Sequence, residues 1–120
     1  LSNHYPNKKI CVVEAAYGFT YENADHLSAS FSESSSSCKK VSMYDVSVQG
    51  QANMIHDVTS AVASLPNGFG VFYWEPAWVI KDGCGWADLR SKNSWANQGL
   101  FSYEGKALGS LEVYKQMEGK

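Results

Sequence analysis

Two short runs in this chain are almost wholly apolar, ICVV at 10–13 and FGVFYW at 69–74, and each leads straight into a glutamate, Glu14 and Glu75. A strand with one wet face alternates polar and apolar residues. An uninterrupted apolar strand must be covered on both faces, which is the pattern of parallel strands in α/β folds. Between the runs, Ala52, Ile55, Val58, Ala61, Val62 and Leu65 recur at helical spacing, with His56, Asp57, Thr59 and Ser60 on the opposite face. Pro66-Asn67-Gly68 predicts the helix stop, Asn and Gly being suited to a left-handed position there. Strand, helix and strand in that order predict parallel strands joined through a crossover.

The rest of the chain adds less. A long polar stretch from Tyr17 to about Gln49, with FSESSSSCKK at its centre, predicts a flexible surface loop, with a helical turn over Tyr21–Asp25. A loop containing Gly83 and Gly85 runs to about Asn93, a weaker third strand is predicted over Gln98–Phe101, and a closing helix over Leu108–Met117. Three strands and two helices are too few to cover a parallel sheet on both faces. A (β/α)8 barrel takes about 250 residues, and this chain has 120. The fold class expected is therefore α/β, the C-terminal portion of a (β/α)8 TIM barrel, with residues 1–120 forming one segment of a single catalytic domain. The start at Leu1, without Met, suggests a chain cut from something longer.

Composition narrows the function. A net charge of −2 leaves no basic patch for nucleic acid and no polybasic membrane stretch, and no apolar run approaches the ~20 residues of a membrane span. The cysteines are three, Cys11, Cys38 and Cys84, with no CxxC pair for zinc. Cys11 reads as a small core residue, and a Cys38–Cys84 bridge stays open for an oxidising compartment. His4, His26 and His56 show no spacing for a metal or a catalytic triad, and no phosphate loop or dinucleotide motif is present.

In a (β/α)8 barrel the active site gathers at the C-terminal ends of the strands, where Glu14 and Glu75 both stand. A carboxylate held there by a rigid strand and walled by aromatics suits nucleophilic or acid/base work. Retaining glycosidases need two such groups about 5–5.5 Å apart. Trp74, Trp78, Trp86 and Trp95 offer flat faces for sugar rings. The pattern leaves each residue a second reading: Glu14 as one partner of a salt bridge across the barrel mouth, Glu75 as a structural acid, and the tryptophans as core and rim packing.

Three ordered blocks sharpen this: VVEAAYGFTYENAD from Val12, QGQANMIHDVTSAVASLPNGFGVFYWEPAW from Gln49, and SWANQGLFSYEGKALGSLEVY from Ser94. They resemble glycoside hydrolase family 53, the secreted arabinogalactan endo-β-1,4-galactanases. The resemblance implies that 10–13, 70–74 and 98–101 are strands 6, 7 and 8 of the barrel. It implies that Glu75 is the nucleophile and that Glu14 orients or contacts the substrate; Trp74, Trp78 and Trp95 are expected, from their flat faces, to contact the substrate beside it. The acid/base glutamate of the family follows strand 4 and would precede Leu1, so this segment alone is expected to be inactive. The resemblance further implies a β-1,4-galactan substrate, an extracellular enzyme and a monomer at full length, with no cofactor. Calcium stays open as a lesser alternative: Asp82, Asp88 and Asn93 offer oxygen ligands, at a spacing that matches no calcium motif. Gly109 stands where the family usually has Pro, Ser102 where Asp is common, and the loop from Val79 to Asn93 is shorter than in bacterial members. Two other readings remain: a non-catalytic galactan-binding or relic half-barrel, and a related barrel glycosidase for another β-glycan.

Overall fold

The structure is a computed structural model that describes residues 1–24, 29–33, 43–81 and 94–118. Cys38, Cys84, His26, Trp86, Asp82, Asp88, Asn93 and most of the Ser-rich tract lie outside the described residues. Strand β1 spans Ile10–Ala15, helix α1 Val48–Ala63, strand β2 Gly68–Tyr73 and helix α2 Glu112–Met117, with 3-10 turns at Ala96–Gln98 and Gly109–Leu111. The two strands pair in parallel, Cys11 opposite Gly70 and Val12 opposite Val71, with register irregularities on both sides of that pair. This is the strand–helix–strand order the apolar runs predict.

Helix α1 starts on Ser47, whose hydroxyl accepts the Gly50 N–H at 3.0 Å. No acidic residue lies in its first turn and no basic one in its last, so the cap is its main local stabiliser, worth about 1 kcal/mol. Gly50 is dictated by space, since a Cβ there would stand 1.8 Å from the Asp45 carbonyl oxygen. At the far end Ser64 donates its N–H to Ser60 and its hydroxyl to the Ala61 carbonyl at 2.8 Å. No left-handed residue closes the helix: Ser64 is right-handed, and among the described residues only Glu75 and Gly105 have positive φ. Gly68 is needed for close approach instead, a Cβ there falling 1.9 Å from the Val62 carbonyl oxygen. Asn67 works as a staple. Its amide donates to the Tyr5 and Lys8 carbonyls and its oxygen accepts from Ser2, while its own carbonyl takes the Ile10 N–H.

The core lies on one side of the sheet. Ala52, Met54 and Ile55 of α1 pack with Tyr17, Leu100 and Val113, and full burial of a side chain such as Ile55 or Leu100 contributes about 1.5–3 kcal/mol. Tyr17 meets the rings of Phe31 and Tyr44 edge-on. Ala61, expected on the buried stripe, is exposed.

Two expectations for the strands need correction. The apolar runs are not covered on both faces: Val13 is 67% exposed, and Phe69 and Phe72 are 60% exposed each, because a two-stranded sheet with one helix against it has one face uncovered. Nor do residues 98–101 form a third strand. Ala96–Gln98 is a 3-10 turn, and Phe101 makes a single antiparallel bridge to Ala107. The carbonyls of Gln98 and Gly99, which a ladder would use, are taken by side chains of Tyr73 and Gln51. One rung of the expected pairing survives, the Leu100 N–H bonded to the Pro76 carbonyl at 2.7 Å. The closing helix is also divided, with a 3-10 turn at Gly109–Leu111 before α2.

Candidate active site

Glu75 stands two residues beyond the last residue of β2, with a φ of +50°. Pro76 disfavours the right-handed helical region for the residue before it, and the left-handed region costs a residue with a Cβ about 1–2 kcal/mol. Such a conformation persists where its surroundings hold it. Here both neighbours are pinned. The Trp74 N–H donates to the Ala15 carbonyl at 2.8 Å, and the Pro76 carbonyl accepts the Leu100 N–H. Trp74 is thus tied to the end of β1 and Pro76 to the segment after the 3-10 turn, with Glu75 as the corner between them.

The chain beyond that corner encloses an open cavity of about 460 Å³, lined by Glu75, Pro76, Ala77, Trp78, Val79 and Lys81. A carboxylate, a lysine ammonium and an indole converge on it. Glu75 itself is half-buried and takes part in no hydrogen bond or ion pair among the described residues, so its oxygens are available to a ligand.

Of the five residues singled out in the sequence, Glu75 and Trp78 share this cavity. Trp74, 38% exposed, lies between Tyr73 and Glu75. Glu14 is exposed in β1, next to the Ala15 that pairs with Tyr73. Glu14 in β1 and Glu75 just beyond β2 therefore stand at the same end of the two parallel strands. Glu14 has no salt-bridge partner among the described residues, where the one ion pair joins His56 to Asp57. Trp95 is outside the cavity lining and caps the 3-10 turn at Ala96–Gln98.

Beneath the corner lies a polar network that the apolar pattern concealed. Gln51 of α1 is fully buried. Its amide nitrogen donates to the Tyr17 carbonyl at 2.8 Å and the Gly99 carbonyl at 2.9 Å, and its oxygen accepts the buried Ser110 hydroxyl. The Tyr73 hydroxyl lies 3.2 Å from that nitrogen, accepts the Tyr17 N–H at 3.0 Å and donates to the Gln98 carbonyl at 2.7 Å. Burial pushes the Tyr73 phenol up to about 12, against the opposing pull of its hydrogen bonds with Tyr17 and Gln51. Asn97, also buried, donates to the Thr20 and Phe31 carbonyls and so fastens the segment after β1 to the 3-10 turn. The signal for Gln51 was its spacing: it falls four residues before Ile55, seven before Val58 and eleven before Val62, on the buried stripe where a polar side chain needs partners.

The family model for glycosyl hydrolase family 53 matches residues 1–114. The chain belongs to glycosyl hydrolase family 53. It is 33% identical to an endo-beta-1,4-galactanase of Bacillus subtilis over an alignment that takes in 98% of this chain and 33% of that protein. It is 34% identical to an arabinogalactan endo-beta-1,4-galactanase of Thermothelomyces thermophilus, over 92% of this chain and 29% of that protein. Among solved structures it superposes on the family 53 catalytic domain of Ignisphaera aggregans with a TM-score of 0.86 at 36% identity, over 96% of this chain and 31% of that one. The chain thus spans about a third of the length of the relatives it matches, and its fold is part of the family's (β/α)8 barrel. The Bacillus alignment runs over 147 positions against 120 residues here, so that family 53 relative carries insertions this chain lacks.

Among the described residues no group of three or more His, Cys, Asp or Glu side chains could hold a metal ion. No helix of the described residues is long and apolar enough to cross a membrane.

Proposed function

We propose that this chain is the C-terminal part of one barrel domain of a retaining endo-β-1,4-galactanase, with β1 and β2 as strands 6 and 7 and residues 98–101 standing where strand 8 would, and that Glu75 is its nucleophile. The observation that carries this reading is the corner at Glu75. A carboxylate with no partner among the described residues sits just beyond a strand end, with its backbone fixed on both sides, beside an open cavity that also holds Trp78. Membership of family 53 and relatives named as galactanases support the substrate class.

In double displacement the Glu75 carboxylate attacks the anomeric carbon of a galactosyl unit, and the bond to the leaving oxygen breaks as an acid protonates that oxygen. Water then attacks the anomeric carbon of the glycosyl ester and releases Glu75. The acid/base is assigned to another part of the enzyme, because Glu14, the other glutamate at a strand end, is assigned with Trp74, Trp78 and Trp95 to substrate contact. The substrate is a polysaccharide, and the enzyme is taken to act outside the cell as a monomer without a cofactor.

In the full-length enzyme, Glu75→Gln should lower galactan hydrolysis by about a thousandfold or more with the circular dichroism spectrum and melting temperature unchanged. Activity within about tenfold of wild type would overturn the assignment, since loss of a nucleophile costs far more than that. Galactan binding without release of reducing ends by the unaltered enzyme would favour the non-catalytic reading, and cleavage of another β-glycan in place of galactan would change the substrate.

A further inference from the structure

We infer that Gln51 is a positioning residue for the reaction, acting on Glu75 through two hydrogen-bonded routes; the inference rests on Glu75 being the nucleophile. The first route passes through β2. The Gln51 amide lies against the Tyr73 hydroxyl, which is fixed by the Tyr17 N–H and the Gln98 carbonyl, and Tyr73 is two residues before Glu75. The second passes through the neighbouring segment. Gln51 holds the Gly99 carbonyl, the next residue's N–H holds the Pro76 carbonyl, and Pro76 directly follows Glu75.

One side chain therefore braces both flanks of the only described non-glycine residue with a positive φ. An amide nitrogen has two hydrogens and its oxygen two lone pairs. Gln51 shares its two hydrogens among the Tyr17 and Gly99 carbonyls and, at 3.2 Å, the Tyr73 hydroxyl, and its oxygen accepts from Ser110, so it clamps four separate stretches of chain behind the corner. A helix that merely filled the space would have carried an apolar residue here, as it does at Ile55 and Val62. Without the clamp, the segment that holds Pro76 and the phenol that holds β2 are both released, and the carboxylate loses its aim at the reacting carbon. A small misplacement of that kind acts on the catalytic step more than on binding.

The test uses the full-length enzyme with Gln51→Met, Tyr73→Phe, the double variant and Ser110→Ala. Steady-state kcat and KM on β-1,4-galactan are scaled to active sites counted by covalent trapping with an activated fluoro-sugar galactoside. Gln51→Met and Tyr73→Phe should each lower kcat per site about 10–100-fold with KM within about twofold, and the double variant should lose no more than Gln51→Met alone, because that change already removes the route through Tyr73. Ser110→Ala, which leaves the Gln51 donor bonds in place, should lose less than either. A merely structural role would reduce the number of trapped sites or the melting temperature and leave kcat per site unchanged, which would overturn the inference. If Gln51→Met fails to fold, Tyr73→Phe, which removes a single oxygen, decides the matter. Trapping at a residue other than Glu75 would overturn the nucleophile assignment and the inference with it. Trapping at Glu75 with kcat unchanged in the variants would overturn the positioning role alone.

Discussion

At Glu75 the sequence shows an acid at the end of an apolar run, and Pro76 shows that the strand cannot continue. It does not show the left-handed backbone, because that conformation is imposed by bonds to Ala15 and Leu100, residues 60 positions before and 25 after it. Gln51 was hidden for a related reason. A hydropathy pattern scores it as an interruption, whereas burial with a full set of partners makes it part of the core. Tyr73 belongs to the same case, read as one more aromatic of a strand until its hydroxyl is followed to its partners. Its pKa leads to a prediction. An unfolded tyrosine ionises near 10, while folding holds the Tyr73 proton up to about 12. The folded form therefore keeps a proton that the unfolded form gives up, and the associated stability, roughly 3 kcal/mol at most, is complete below pH 10 and lost as pH rises from 10 to 12. Denaturant melts across that range should show stability falling with pH, and Tyr73→Phe should flatten the fall. An equal slope in both proteins would contradict the buried phenol.

The elements themselves follow from local chemistry with differing success. The β1–α1–β2 unit was legible because both periodicities were clear, and its boundaries shifted by a few residues only. The third strand was not. Its carbonyls bond to Gln51 and Tyr73, and no periodicity in 98–101 could report partners so distant in sequence. Helix α1 was expected to stop on a left-handed Asn or Gly, yet Asn67 serves as a staple to the N-terminal segment and Gly68 as a gap beside the Val62 carbonyl. Its start is simpler. With no acid in the first turn to support it, α1 depends on Ser47, and Ser47→Ala should destabilise the protein by about 1 kcal/mol without shifting the midpoint of any pH profile. Equilibrium unfolding in urea checks this; a loss below a few tenths of a kcal/mol would show that tertiary packing alone holds the helix start.

For the whole molecule, the exposed faces of Val13, Phe69 and Phe72 are the counterpart of the uninterrupted apolar runs. The sequence demanded cover on both sides, and this chain supplies it on one. The family's barrel and the relatives' threefold greater length give that demand its physical sense: under the proposed function the remaining strands and helices of the enzyme cover the second face and bring the acid/base to Glu75. On that proposal the site is built by convergence, with this chain giving the nucleophile, the Trp78 cavity and the network that braces them. The most direct test is to trap the glycosyl-enzyme of the full-length protein with an activated fluoro-sugar galactoside, digest it and locate the added mass. One galactosyl adduct per molecule, on the peptide bearing Glu75, is the predicted result. An adduct on Glu14 or outside this chain, or none while galactan is still cleaved, would contradict the account.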